Sequence, residues 1–508
     1  MGGHRKGGFF RLARDTIATL YKSGPEAVVS LVGYLQDVIT QLWGQIESQR
    51  ATIEEQKKRI EELEAKEKKD SHNSSKPPSS DGLSKRKRSK PAEKRKKGRR
   101  PGGQKGHEGT TLRMVESPDK LQEHRVERCC ECGKSLAEQE SIGYEKRQVF
   151  DVPEIKLEVT EHRAQIKECD ACGWRTTGEF PEGVTQKAQY GQRVKSFAVY
   201  IKNYGLVPYE RTAELLEDLF GAGLSAGTLV NMNREFSGRV GGVVEWIGQQ
   251  IRRSPVVHFD ETGMRIGGRL NWLHVAGTDE FTYYMAHEKR GKEAMDAMGI
   301  LPGYEGRAVH DGWKSYFRYT NCTHALCNTH HVRELTFIVE QYEQQWAQRM
   351  IEFLLKVKAD RDEAEGSGFA DKQLRGYERE YREIIAEGFA ANPPPVQEGK
   401  KKRGRKKKTD ALNLLERLEK YEGATLAFMY DFSVPFSNNL GEQDIRMMKV
   451  QQKISGTFRS AMGALSFCRI RSYISTVKKH KMNVISAIQG VFTLQLHLIR
   501  LFLRGVVK

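Results

Sequence analysis

The chain has 508 residues, several times the ~150 of one typical domain, so three to five folded units are expected. Its 84 Lys and Arg exceed 66 Asp and Glu, a formal net charge of +18, and two short runs carry that whole surplus. The body is thus nearly neutral with concentrated cationic segments, the arrangement expected of a protein with polyphosphate partners. No stretch reaches the ~18 uninterrupted apolar residues of a membrane span; even Val491 to Leu503 is broken by Gln495, His497 and Arg500. The opening MGGHRKGGFFRLARD lacks an apolar signal core, which argues against secretion. Eight cysteines in so long a chain on the cytosolic side argue against a disulfide framework.

The first pattern along the chain is a heptad. Val32, Ile39, Ile46, Ile53 and Ile60 recur every seven residues, as do Leu35, Leu42, Gln49, Gln56 and Leu63. β-Branched residues at a with Leu at d favour a parallel two-stranded coiled coil, and hence a homo-oligomer. The alternative is an amphipathic helix folded back on its own body. The linker NSSKPPSSDG (Asn73 to Gly82) ends this helix, because Ser, Pro and Gly cannot continue it. The basic run Lys85 to Lys105 and the stretch GRRPGGQKGHEG follow, with too little apolar surface to fold alone. Lys94, Arg95, Lys96, Lys97, Arg99 and Arg100 are suited to track DNA phosphates and release counterions.

Two matched knuckles come next, Cys129-x-x-Cys132-Gly133 and Cys169-x-x-Cys172-Gly173. Between them, Glu145 to Val152 and Ile155 to Ile166 alternate and predict a β-hairpin. Four thiolates gathered in this way make a closed structural Zn²⁺ site. Cys129 is preferred to Cys130 because it alone has the x-x spacing to Cys132. From Tyr209 the text is helical: Arg211 to Phe220, a break at Gly221 and Gly223, then a helix capped by Ser225, a helix-turn-helix-like pattern.

The chemistry begins at PVVHFDETGMR, where the apolar run Val256 to Phe259 predicts a buried strand delivering Asp260 at its end. Strands at Asn271 to Ala276 and Phe281 to Met285, a helix at Lys289 to Met298, and a strand at Arg307 to His310 follow, the last ending in Asp311. This is the order of an RNase H-like core, in which strands one and four are neighbours. Two close carboxylates repel unless a cation neutralises them, so the pair is a natural Mg²⁺ site. Two-metal phosphoryl transfer needs a third acid. Glu442 in PFSNNLGEQDIRMMKV is the best candidate, on a helix capped by Ser437 or Asn438, with Leu440, Met447 and Met448 turned inward. Arg446 and Lys449 lie on the same helix face and are suited to a DNA phosphate. Glu261, Asp279 and Asp444 compete, although Glu261 points away from Asp260's side of the strand and Asp279 sits in a turn. Cys327-x-x-His330 has zinc-like spacing without a second pair, and reads as a polar cluster near the acids. The segment Glu334 to Glu387 is helical, and the Pro-then-basic loop Pro393 to Lys408 brings Arg403, Arg405 and Lys406 to DNA.

In order, NSSKPPSSDG, PGGQKGHEG, the paired knuckles, HFDETG, VHDGWKSY, CNTHHVREL and SNNLGEQDIRMMKVQQKISGTFRS resemble the transposases of the insertion sequence 66 family, from about residue 30 to 480. The resemblance implies a bacterial DDE transposase with an RNase H-like catalytic domain, in which Asp260, Asp311 and Glu442 are the triad and Cys129, Cys132, Cys169 and Cys172 hold zinc. Cys130 stands where relatives often have proline.

The resulting expectation is a multidomain α+β protein. It assigns 1–70 to N-terminal helices with a coiled coil, 71–110 to a basic linker, 111–185 to a β-hairpin zinc ribbon and 186–250 to a helix-turn-helix-like region. The catalytic core takes 251–335 and 425–475, interrupted by an α-helical insertion at 336–424, and 476–508 forms a C-terminal helix. The implied activity is binding of element ends and two-metal DNA cleavage and strand transfer. Its cofactors are two Mg²⁺ (or Mn²⁺) ions and structural Zn²⁺. Its partners are element-end and target DNA, a second copy of the chain and small accessory proteins, with no membrane, in the bacterial cytoplasm at the nucleoid. The rival reading is a non-catalytic DNA-binding protein or repressor derived from a transposase; a third is a nuclease that cuts without joining.

Overall fold

The computed structural model describes residues 14–70, 72–74, 112–394 and 408–493. The two basic runs lie outside them apart from Lys408, so the DNA-contact expectations at Lys94, Arg95, Lys96, Lys97, Arg99, Arg100, Arg403, Arg405 and Lys406 fall outside the described residues. Among the described residues no helix is long and apolar enough to cross a membrane. The described residues divide into two compact units, the first drawn from within residues 1–83, 330–357 and 375–420, the second from within 84–329, 358–374 and 421–508.

Helices α1 (Arg14–Lys22) and α2 (Pro25–Glu67) open the first unit. On the 43-residue α2 the heptad residues Val32, Leu35, Ile39, Leu42, Ile46, Ile53, Ile60 and Leu63 are 42–55% exposed. Among the described residues nothing buries this stripe. Asp70 to Ser74 then turn back: Asn73 Nδ2 donates to Lys68 O (3.1 Å) and Glu340 Oε2 (3.0 Å), and Lys69 Nζ pairs with Asp410 Oδ2 at 2.8 Å.

In the second unit, each cysteine knuckle forms the tip of a small turn. A bridge between Arg128 and Ser135 closes the first, and β1 (Ile166–Glu168) paired with β2 (Arg175–Thr177) closes the second. This corrects the expected hairpin between the knuckles: residues 145–165 form no strand. Val149, Phe150, Val152, Ile155, Leu157 and Val159 all stay exposed, and a two-stranded ribbon with no covering layer is marginal in water. Helices α3 (Gln192–Val199), α4 (Tyr209–Phe220), α5 (Ala226–Arg239) and α6 (Gly241–Arg253) follow. Gly221 ends α4 in the left-handed region (φ +64°), and Ser225 Oγ accepts from Thr228 N–H (3.1 Å) to cap α5, as the sequence predicts. Ala198, Leu216, Leu229 and Met232 form the core under these helices.

The sheet contains β3 (Val256–Ile266), β4 (Arg269–Gly277), β5 (Thr282–His287), β6 (Arg307–His310) and β7 (Thr323–Leu326), with α7 (Lys292–Met298) between β5 and β6. Its order is β5-β4-β3-β6-β7; β3, β4 and β5 are antiparallel, and β6 and β7 run parallel to β3. The chain continues through α8 (Asn328–Tyr342), α9 (Gln345–Glu363), α10 (Asp371–Ala391), α11 (Asp410–Lys420), α12 (Glu422–Thr425) and α13 (Ala427–Tyr430). Trp346, Met350, Phe353, Tyr381, Ile384 and Leu415 are buried in the first unit. Where the chain returns to the sheet, Asn328 Nδ2 donates to Thr425 O (2.9 Å) and its N–H to Phe436 O (3.0 Å).

Helices α14 (Asn439–Ser455), α15 (Ala461–Lys479) and α16 (Val484–Phe492) complete the unit. Alternation along β3 sorts the two sheet faces. Val257 and Phe259 face a core with Ile247, Tyr316 and Ile474, while Met264 faces one with Ile445, Met448 and Phe467. Of the residues expected inward on α14, Met448 is buried and Leu440 and Met447 are half-buried.

Candidate active site

Two carboxylates reach the site because β3 and β6 are parallel neighbours. Val256 lies opposite Arg307 and His258 opposite Val309; the same register, carried two residues on, sets Asp260 against Asp311 just beyond the end of β6. Here β3 is the switch point, with antiparallel strands on one side and parallel strands on the other. The expected strand end at Asp260 is corrected: β3 runs on to Ile266 because its pairing with β4 continues past the last pair with β6, so Asp260 lies within the strand. Asp260 Oδ1 accepts the Glu261 N–H (2.8 Å), and Asp311 Oδ1 accepts the Trp313 N–H (2.9 Å).

The third acid arrives on α14, which packs across β3 and β4. Its entry is fixed by Asn438, which is 1% exposed. Asn438 Oδ1 accepts from His258 Nδ1 (2.8 Å), and Asn438 Nδ2 donates to Phe259 O (2.8 Å), both beside Asp260 on β3. Its own N–H donates to Cys327 Sγ (3.1 Å), and its carbonyl accepts the Glu442 N–H (3.1 Å). The expected side-chain cap is thus corrected: Asn438 starts the helix, but its amide holds β3 instead of the helix amides. Two glycines allow the approach. A Cβ on Gly441 would sit 3.0 Å from Asn438 Oδ1, and one on Gly277 would sit 2.5 Å from Asp444 Oδ2.

The electrostatics report the convergence. Burial, then the charges of Glu261, Asp311 and Glu442, hold the Asp260 carboxyl well above the usual carboxylate range. Lys449 is half-buried and faces Asp260: burial lowers its ammonium and Asp260 opposes that shift. Arg446, one turn earlier, is exposed. Carboxylate oxygens suit a divalent cation by their donor chemistry, and among the described residues those of Asp260, Asp311 and Glu442 do not all lie within 4.8 Å of one another.

The competing acids go elsewhere. Asp444 Oδ2 binds Lys479 Nζ (2.7 Å) and Thr282 Oγ1 (3.1 Å), and Asp279 is exposed in the β4–β5 turn. Glu261 lies on the opposite face of β3 from Asp260, as read from the strand period, but it is buried against Arg290 and Tyr316. Nothing in the spacing of Glu261, Arg290 or Asn438 announced these contacts, since each partner comes from a distant element.

The cysteine knuckles form two prepared pairs. Gly133 N–H donates to Cys129 O (3.0 Å) and Gly173 N–H to Cys169 O (2.7 Å), with both glycines left-handed at φ +73° and +70°. Backbone amides of Cys132 and Glu131 lower the Cys129 thiol, and those of Ala171 and Cys172 lower Cys169. Thiolate donors of this kind fit zinc. Among the described residues no three of these four sulfurs lie within 4.8 Å of one another, so the pairs are formed separately.

The molecule is therefore an α+β protein with an acidic site at the switch point of a mixed sheet and two cysteine knuckles ahead of it. Residues 187–466, more than half of the chain, match the transposase IS66 family, and the chain belongs to that family. Residues 127–173 match the zinc-finger binding domain of transposase IS66, which supports structural zinc, and residues 31–113 match a family of unknown function (DUF6444). No curated protein matches the chain.

Proposed function

We propose that this transposase binds the ends of its own mobile element and performs metal-dependent DNA cleavage and strand transfer with Asp260, Asp311 and Glu442 on an RNase H-like core. The observation that carries the reading is that the charges of Asp311, just past the end of β6, and Glu442, at the start of α14, both reach the buried Asp260 carboxyl within β3. The strand order, with the first strand central and the fourth parallel beside it, supports the same core.

Those three carboxylates would hold Mg²⁺ or Mn²⁺, which supplies charge neutralisation at phosphate and a more acidic water or hydroxyl. In cleavage, a water oxygen bonds to phosphorus and the P–O3′ bond breaks, leaving a 3′-hydroxyl. In joining, that hydroxyl attacks a target phosphodiester and displaces the target's 3′-oxygen, so no covalent enzyme intermediate is needed. Lys449 and Arg446 offer cations to the phosphates beside the acids, and Asn438 keeps Glu442 in register with Asp260. Cys129, Cys132, Cys169 and Cys172 would hold the structural zinc of the finger. The uncovered stripe of α2 would pair with a second copy as a coiled coil, bringing two element ends together, and small accessory proteins of the same element would join the assembly. The protein would act in the bacterial cytoplasm at the nucleoid.

A strand-transfer assay on element-end DNA tests this. Asp260→Asn, Asp311→Asn and Glu442→Gln are each expected to abolish Mg²⁺-dependent joining while leaving end binding intact. Joining at the wild-type rate in any of them refutes the triad. Tight binding by the wild type without any cleavage would favour the repressor-like reading, and cleavage without joining the nuclease.

A further inference from the structure

We infer that Glu261 is a positioning residue for the acidic site: through Arg290 and Tyr316 it fixes the loop that presents Asp311. This inference rests on the reading of Asp260, Asp311 and Glu442 as metal ligands.

Glu261 follows Asp260 in β3 but projects to the other face, where its side chain is only 1% exposed. A carboxylate buried so deeply persists as an anion only if it is paired and hydrogen-bonded. Arg290 supplies both Nε (2.9 Å) and Nη2 (2.7 Å) to Oε1, and Tyr316 Oη donates to Oε2 at 2.5 Å. Both partners lead to the Asp311 loop. The Arg290 guanidinium lies between two indoles, 4.2 Å from the Trp313 ring centre and 4.9 Å from that of Trp272. The Trp313 backbone N–H in turn donates to Asp311 Oδ1 (2.9 Å). On the other side, Tyr316 stacks on His310 at 4.4 Å, and His310 Nδ1 accepts the Gly312 N–H (3.0 Å).

Residues 310–316 are thus gripped from both ends by one buried carboxylate. Asp311 is itself exposed, so its direction depends on this grip and not on its own packing. A pair present only for stability would be replaceable by apolar residues; a pair that aims a ligand would not.

The test is Mn²⁺ binding to the full-length, zinc-loaded protein, followed by the electron paramagnetic resonance signal of the free ion. Asp260→Asn serves as the reference for loss of the site. Glu261→Gln and Arg290→Lys are expected to weaken Mn²⁺ binding by about 10–100-fold, the usual effect of removing a group behind a metal ligand, and Arg290→Lys, which keeps a cation opposite Glu261, to leave the thermal midpoint little changed. Arg290 is 37% exposed, so its variant reports even if Glu261→Gln fails to fold. Strand transfer by either folded variant should recover at raised Mn²⁺. Wild-type Mn²⁺ affinity in Arg290→Lys, alongside loss in Asp260→Asn, overturns the positioning role and leaves the metal reading standing. Failure of raised Mn²⁺ to restore joining also overturns it. Wild-type affinity in Asp260→Asn removes the metal reading and this inference with it.

Discussion

Asn438 engages four groups from three parts of the chain, and none of those bonds stabilises its own helix turn by side-chain capping. Asn438→Ala strands the His258 ring N–H and the Phe259 carbonyl in a dry setting, at about 1–3 kcal/mol for each unsatisfied group. The expected result is a urea midpoint shifted down at unchanged slope, together with reduced strand transfer; a wild-type midpoint would mean the tie carries nothing. Gly441→Ala should act in the same direction and more weakly, since its methyl meets the Asn438 amide at 3.0–3.3 Å. A second prediction concerns His274, which is 2% exposed and whose imidazolium is held down to about 4 by burial. Its folded pKa lies below the unfolded value of 6.5, so its contribution to stability is complete above pH 6.5 and is lost as pH falls from 6.5 toward 4. His274→Gln should therefore lose less stability than wild type across that window, with parallel curves above it, as urea unfolding from pH 7.5 to 4 would measure. Asp260 and Glu261 titrate in the opposite sense, but they are present in both proteins and cancel in the difference. At this scale the sequence exposed Asp260 and Asp311, because apolar runs visibly ended in acids. Asn438 and Glu261 stayed hidden because their meaning lies in partners 180 and 29 residues away.

Helix α14 comes close to β4 only because residue 277 has no side chain. Gly277→Ala places a methyl 2.5 Å from Asp444 Oδ2 and 3.1 Å from Leu440 Cδ2, overpacking expected to cost about 1–3 kcal/mol and to shift Glu442. The prediction is that strand transfer falls more than element-end binding does; equal losses would locate the defect elsewhere. The knuckles make another element-scale prediction. One zinc per chain should be retained on dialysis of the wild type and lost in Cys169→Ser, as metal analysis would show. The sheet itself was legible in part: β6 spans Arg307–His310 as predicted and β3 to β5 begin within two residues of expectation, but β3 runs on to Ile266, well past the expected end at Phe259. Strands flanked by turns and filled with apolar residues leave the chain little choice. The hairpin expected between the knuckles misled because alternation specifies a face, whereas pairing needs a neighbour to cover that face.

For the whole molecule, charge and the α2 stripe set the expectations. Removing residues 400–408 takes away eight cations, so the salt slope of DNA binding should flatten by up to about 7 in log–log terms, as titration from low to high salt would record. An unchanged slope would show that this run does not meet phosphate. Ile39→Asp with Ile46→Asp should convert an associated species into a monomer in sedimentation, given that both residues stand about half exposed among the described residues. Neither property could be read from composition alone, because the net charge says how strongly a partner is attracted and not which surface meets it. One further consequence follows from Asn328, whose bonds to Thr425 and Phe436 join the point where the chain departs from β7 to the point where it comes home. Such a pinched doorway lets the intervening segment grow or shrink outside residues 358–374, which belong with the sheet and whose Ser367 carbonyl accepts the Phe432 N–H. Natural variants of this enzyme should accordingly differ in length there sooner than anywhere along β3 to β7, and engineers wishing to splice in a reporter have their address.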